Sequence, residues 1–114
     1  MKYALLLYDV PANWADVDEA RMGRLHAEYM AVTDDPRSTG GAQLHPATEA
    51  KTLRLAADGD LIVTDGPFAE TKEVLSGFYL VDAADADEAM EIAQRIPTLS
   101  QMGGAIEIRQ IVER

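Results

Sequence analysis

Two amphipathic helical stretches set among short strand-like runs predict an α+β fold, with two helices packed on one face of a mainly antiparallel sheet. Three observations carry this. Lys2 to Tyr8 is a nearly continuous apolar run, an Asp-Gly turn joins two strand-like segments near the middle, and the closing "AIEIRQIV" alternates Ile106 and Ile108 with Glu107 and Arg109. With 114 residues and 47% hydrophobic content, the chain suits one domain spanning 1–114.

The first run reads as a central strand covered on both sides, ended by "DVPANW" with Pro11. From Asp16 to Thr33 the residues Met22, Leu25, Tyr29 and Val32 recur at spacings of three and four, the signature of an amphipathic helix. Pro36 requires that helix to stop near Thr33, and Gly40 and Gly41 are expected to release the chain before a short strand, "AQLHP". Lys51 to Asp65 is expected to form one β-hairpin about Asp58-Gly59, because that pair suits the positive φ angles of a tight turn. "SGFYLVDA" reads as a buried strand. Asp85 and Glu88 form a capping box for a second helix whose stripe is Ala86, Ala89, Ala93 and Ile96, ended by Pro97. "TLSQMGG" then reads as a loop before the last strand. This order fits a ferredoxin-like sandwich with an inserted hairpin. Its sheet has a second face that needs a cover, and self-association into a homodimer through the sheet is the expected one.

Ten basic against twenty acidic residues give a formal net charge of −10, which opposes nucleic acid and anionic lipid as partners. There are no cysteines, so thiol chemistry and zinc ribbons are excluded. The N-terminal apolar run is too short for a membrane span or secretory core, so a cytoplasmic location is expected. Two histidines on different elements offer no metal-ligand spacing, and no phosphate-loop or dinucleotide motif occurs, so neither a metal nor a cofactor is expected.

The segments "MKYALLLY", "HAEYMA", "VTDGPFAETKEVLSGFYLVDA", "ADEAMEIAQRIP" and "GAIEIR" together resemble the YCII-related family, specifically its DGPF-motif branch. The resemblance covers almost the whole chain in order, and Asp65-Gly66-Pro67-Phe68 followed by Glu70, Thr71, Lys72 and Glu73 is its most specific part. It implies a ferredoxin-like fold that dimerises in the manner of the dimeric α+β barrels, with a pocket near the sheet. It also implies a His-Asp pair as a suggested active site and an association with sigma factors of the extracytoplasmic-function type. Pro36 departs from the pattern of relatives that continue the first helix. Ile96-Pro97 stands where YCII-branch chains commonly have Asp-Pro, so no acidic partner for a histidine carries over there.

Each candidate has a structural and a functional reading. His26, at the border of the first helix's apolar stripe, is either an edge histidine or a general acid or base. Asp65 either satisfies its turn or orients that histidine from a strand end. Lys72 and Arg54 are candidates to hold an anionic or carbonyl group, against a reading in which Glu70, Lys72 and Glu73 form a solvated loop. Phe68 is expected to plug the turn onto the core, with substrate contact as its alternative, and Tyr8 and Trp14 either line a pocket or anchor the first loop. His45 reads as an exposed edge residue. Two functions follow: a small-molecule enzyme for isomerisation or elimination, or a non-catalytic dimeric module that senses a ligand or meets a sigma factor.

Overall fold

The computed structural model describes residues 1–69 and 71–114. Its strands are β1 (Lys2–Asp9), β2 (Ser38–Gln43), β3 (Lys51–Leu55), β4 (Leu61–Asp65), β5 (Val74–Asp82) and β6 (Ala105–Gln110). The helices are α1 (Glu19–Thr33), α2 (Ala86–Ala93) and the short α3 (Pro97–Ser100). Four strands form one antiparallel sheet in the order β2-β5-β1-β6, and β3 and β4 form a separate two-stranded arm. With the arm set aside, the order is that of a ferredoxin-like sandwich, as the pattern of elements predicts. Among the described residues the sheet stays open and no barrel closes.

Alternation along β1 sends Tyr3, Leu5, Leu7 and Asp9 to the buried side and leaves Ala4, Leu6 and Tyr8 half-buried on the other. The core lies between the sheet and the helices, where Leu5, Val32, Tyr79, Val81, Ala89, Ile92 and Ile96 meet, with Ile106 and Ile108 at its margin. So the central strand is covered by helices on one side only. The expectation of cover on both sides holds for its position in the sheet and not for its outer face.

Asp18 caps α1 by accepting from the Arg21 N–H at 2.8 Å, and Asp85 caps α2 by accepting from Glu88 N–H at 2.9 Å. Glu88 returns the favour one residue outside the expected box, accepting from Ala84 N–H at 3.0 Å. In the α2 stripe, Ile92 is buried in place of the solvent-exposed Ala86.

Two boundaries differ from the sequence expectation. β2 begins at Ser38 and contains Gly40 and Gly41, whereas Leu44, His45 and Pro46 lie beyond its end. Close approach explains this: Gly41 has φ 143°, and a Cβ there would lie 2.3 Å from the Phe78 carbonyl oxygen, so glycine is what lets β2 pair with β5. Residues 97–100 form α3 instead of loop: α2 ends at Ala93, short of the Pro97 stop expected for it, Ile96 lies beyond that end as the cap of α3, and Pro97 starts α3 at a position where its missing N–H costs nothing.

A charged cluster ties the α1–β2 turn to α2. Asp35, nearly buried, accepts from Arg37 Nη2 at 2.9 Å and from Arg95 Nη2 at 2.6 Å, and Arg37 Nη1 also reaches Glu88 at 3.0 Å. Hydrogen bonds from the Arg37 side chain and backbone hold the Asp35 carboxyl well below the usual carboxylate range. Its folded value lies below the unfolded value of about 3.9, so its contribution is complete above that pH and is lost as pH falls below it. Asp35→Asn should cost about 2 kcal/mol at pH 7, and should flatten the loss of stability between about pH 5 and pH 2. Urea midpoints of both proteins across that range test this, and parallel pH profiles would reject it.

Candidate functional site

The residues singled out in sequence are spread over three regions. His26 is solvent-exposed on α1 and makes no hydrogen bond or ion pair among the described residues. Asp65 ends β4 opposite Lys51 and is ion-paired with it, with its side chain 82% exposed. No bond joins Asp65 to His26 among the described residues. Lys72 is exposed in the segment between β4 and β5, and Tyr8 is half-buried on the outer face of β1. Glu70 lies outside the described residues. His45 is exposed with Nδ1 3.9 Å from a Glu49 carboxylate oxygen.

Two of the separate substrate-holding candidates do meet. The Arg54 guanidinium carbon sits 4.4 Å from the centre of the Phe68 ring, a cation–π contact that joins the segment after β4 to β3. Phe68 is 73% exposed, so it packs beneath Arg54 and is not the core plug expected of it. The Asp-Gly-Pro-Phe turn is held by backbone: Gly66 N–H donates to the Ala50 carbonyl at 2.7 Å, and Thr52 Oγ1 donates to the Gly66 carbonyl at 2.8 Å.

The most concentrated chemistry lies elsewhere, around Asp9 at the end of β1. Asp9 keeps the inward parity of Tyr3, Leu5 and Leu7, so its carboxyl points into the layer between sheet and helices and is 8% exposed. A register shift between Leu7 and Tyr8 leaves Ser76 as the extra residue of β5, and its hydroxyl donates to Asp9 Oδ2. Trp14, the only tryptophan, donates from Nε1 to Asp9 Oδ1 at 3.2 Å. Thr98 on α3, fully buried, donates to Asp9 Oδ2 at 3.4 Å.

The chain of hydroxyls continues beyond Thr98. Tyr29 of α1 lies 2.7 Å from Thr98 Oγ1, and since Thr98 spends its proton on Asp9, the tyrosine is the donor. Tyr79 of β5 donates in turn to the Tyr29 carbonyl at 2.9 Å. The Trp14 and Tyr29 rings stack with centroids 6.4 Å apart and 29° between planes, covering this network. Burial pushes the Tyr29 hydroxyl up to about 12, helped by the negative charge of Asp9, so at neutral pH it keeps its proton and serves as a hydrogen-bond donor.

The segments that build this network also border a surface groove. Asn13 and Trp14 share the 3-10 turn Pro11–Trp14, and Gln101, Met102 and Gly103 lie three to five residues after Thr98. Asn13, Arg21, Gln101, Met102 and Gly103 line a shallow groove of about 320 Å³. The Arg21 guanidinium rests on Met102 Sδ at 3.6 Å, and among the described residues no carboxylate pairs with it. Asn13 Nδ2 donates to the Met102 carbonyl at 3.0 Å, which pins the turn against the far wall.

Sequence reasoning passed over Asp9, Ser76 and Thr98. A signal existed for Asp9, because the period-two alternation that assigns Leu5 and Leu7 to the core assigns Asp9 there too. Ser76 and Thr98 had none, since their roles depend on a bulge and on a helical turn that no periodicity reveals.

Comparison with known proteins gives a consistent picture. A family model described as the YCII-related domain matches residues 1–114. An uncharacterised protein of Rhizobium meliloti is 40% identical over 115 residues, covering 97% of this chain and 92% of that protein. A single-stranded DNA-binding protein, DdrA, of Deinococcus radiodurans is 43% identical over 58 residues, which cover 48% of this chain and 28% of that protein.

Proposed function

The chain belongs to the YCII-related family, and from that premise we propose that it binds a small molecule and performs acid–base chemistry on it at Asp9. The observation that carries this reading is the Asp9 carboxyl, withdrawn from water yet held by three side-chain donors under the Trp14–Tyr29 stack. Structural polar clusters are satisfied too, but this one joins a carboxyl to a tyrosine through a threonine hydroxyl, a path along which a proton can pass. Asp9 would take a proton from a carbon next to a carbonyl and return that same proton to a neighbouring atom of the substrate or to its leaving group, Tyr29 and Thr98 would hold the carboxyl in place through their hydrogen bonds, and Arg21 in the adjoining groove would hold an anionic end of the substrate. Isomerisation and elimination need no more than these parts. The turn at Asp65 to Phe68 supports a place in the DGPF-motif branch.

The DNA-binding role named for the Deinococcus protein is not carried to this chain. The shared segment is 28% of that protein, and a net charge of −10 repels a phosphate backbone.

A screen of small oxo and hydroxy acids by thermal shift and by Trp14 fluorescence tests the proposal. A true ligand at 100 times its dissociation constant should add about 2.7 kcal/mol and change the emission of the sole tryptophan. Asp9→Asn should abolish turnover, and Arg21→Ala should weaken binding about tenfold or more, as loss of a charge-assisted contact implies. If both variants match the wild type with a converted substrate, the site is elsewhere.

Two further proposals keep the other residues in play. The exposure of His26 without a partner favours its meeting a carboxylate supplied in an assembly, Asp65 being the candidate, with Lys72 beside it. NMR titration of His26 in wild type and Asp65→Asn tests that pair, and coincident midpoints reject it. The uncovered sheet face favours a homodimer, either as the enzyme's working state or as a ligand-sensing module that meets a regulatory protein such as a sigma factor. A ligand that raises the melting point and is never converted would support the sensing reading.

A further inference from the structure

Among the described residues only two basic side chains are half-buried, Arg21 and Arg37, and their surroundings differ. Arg37 meets the carboxylates of Asp35 and Glu88. Arg21 meets no carboxylate among the described residues and rests on the Met102 thioether, a weak acceptor, at 3.6 Å. A guanidinium drawn partly out of water without a counter-charge is an open anion site, and the thioether contact holds it still while leaving its remaining N–H groups free for a ligand. A second donor stands in the same groove. Gly103 lines it beside Asn13, and the Gly103 N–H has no acceptor among the described residues. That N–H belongs to the same trans peptide as the Met102 carbonyl, which accepts from Asn13 Nδ2 at 3.0 Å. The Asn13 bond therefore fixes the direction of the Gly103 N–H, opposite to that carbonyl, and polarises it.

The Asp9 carboxyl, for its part, has one oxygen to offer. Oδ2 receives the hydroxyls of both Ser76 and Thr98, so its two lone pairs are occupied. Oδ1 receives only the Trp14 N–H and keeps a lone pair, and Trp14 follows Asn13 in the turn that walls the groove. A substrate proton arriving from the groove therefore has Oδ1 as its acceptor.

We infer that the groove is a site for a 2-oxo monocarboxylate: the carboxylate pairs with Arg21, the 2-oxo oxygen accepts from the Gly103 N–H, and the C3–H is offered to Asp9 Oδ1. This deepens the acid–base reading above and rests on it for the last of these contacts. A planar carboxylate matches the fork of a guanidinium, and its single charge suits a site with one cation in a chain of net charge −10. At about 320 Å³ the groove stands at the small end of ligand-sized clefts, about 300–1,000 Å³, which fits an acid of a few carbons. The step balances within the pair. Asp9 takes the C3 proton while the C–H electrons form the C2–C3 double bond and the carbonyl electrons move onto oxygen. The same proton then passes from Asp9 to that oxygen, giving the enol. The Gly103 N–H, held by Asn13 where this negative charge develops, acts as the oxyanion donor, and Asn13 is its positioning residue.

The experiment uses the full chain with 2-oxobutanoate, butanoate and inorganic phosphate as probes. In proton–nitrogen correlation spectra the Gly103 amide proton should move downfield with 2-oxobutanoate and not with butanoate. Calorimetry should find butanoate bound about tenfold more weakly, the value of one lost hydrogen bond. Arg21→Ala should weaken both acids about tenfold or more. Asn13→Ala, an exposed position, should erase the preference for the oxo acid and leave butanoate affinity unchanged. In D2O the protein should place deuterium at C3 of 2-oxobutanoate, because the released enol takes its new C3–H from solvent. Asp9→Asn should stop this, and its Gly103 shift on binding reports that the variant is folded. A wild type that binds no 2-oxobutanoate at about 10 mM, or releases it to an equal concentration of phosphate, would overturn the 2-oxo acid site and leave acid–base chemistry at Asp9 to another substrate. Binding as expected, with deuterium incorporation unchanged in Asp9→Asn, would overturn the acid–base reading and leave the groove as a 2-oxo acid site.

Discussion

Gly104→Ala should lower the melting temperature by about 12–15 °C and disorder the environment of Trp14, although the residue touches neither Trp14 nor Asp9 through a side chain. Gly104 lies between α3 and β6, and its N–H donates to the Thr98 carbonyl at 2.9 Å. A Cβ there would stand 2.3 Å from the Tyr8 carbonyl oxygen and 2.9 Å from Thr98 Cγ2. Neither neighbour yields easily. The first is backbone of the central strand, and the second is a fully buried side chain whose hydroxyl links Tyr29 to Asp9. Relief requires α3 and the start of β6 to move off β1, which overpacking of this kind makes costly, at about 3 kcal/mol. For a domain of this size that converts to the stated shift in melting temperature. Thr98→Ser in the same chain removes the Cγ2 contact but not the clash with Tyr8, so it should restore only a minor part. Calorimetry with Trp14 emission as the local readout decides the matter, and a melting point within 2 °C of wild type would show that the segment is not clamped as described.

That coupling explains why much of the fold was legible in the sequence and the site was not. Caps at Asp18 and Asp85, the hairpin turn at Asp58-Gly59 and the alternation of β6 are decided by residues within four positions of one another, so local patterns suffice. β2 was misplaced because Gly40 and Gly41 carry a strong breaker signal, and only the approach of Phe78 from a strand thirty-odd residues away turns that signal into a strand requirement. The Asp9 network joins residues from β1, the turn after it, α1, β5 and α3. Three of those five contributions, from α1, β5 and α3, are non-local to Asp9. The sequence therefore drew attention to Asp65 to Lys72, where the pattern is contiguous and specific, while the structure gathers its buried hydroxyl and carboxyl groups around Asp9 and Ser76, where β1 ends against the start of β5.

The same reasoning separates two leucines that periodicity treats alike. Leu5 and Leu53 both sit on the apolar side of an alternating strand, and both should be truncated to alanine. Leu5 is fully buried on the central strand, with Tyr79 and Ile108 as its cross-strand neighbours beneath the helices. Leu5→Ala removes its transfer free energy and leaves a cavity that a sheet paired on both sides cannot collapse, so the expected loss is about 3–4 kcal/mol. That loss should be the same at every protein concentration. Leu53 is 62% exposed in the single chain, so its truncation should cost under 0.5 kcal/mol where the protein is dilute and monomeric. If the proposed homodimer covers the arm, Leu53→Ala should lose a further 1 kcal/mol or more at concentrations that favour association, because the side chain is then withdrawn from water. Urea unfolding of both variants at about 1 µM and about 200 µM provides the comparison. A cost for Leu53→Ala that stays under 0.5 kcal/mol at both concentrations would show that association leaves the arm in water.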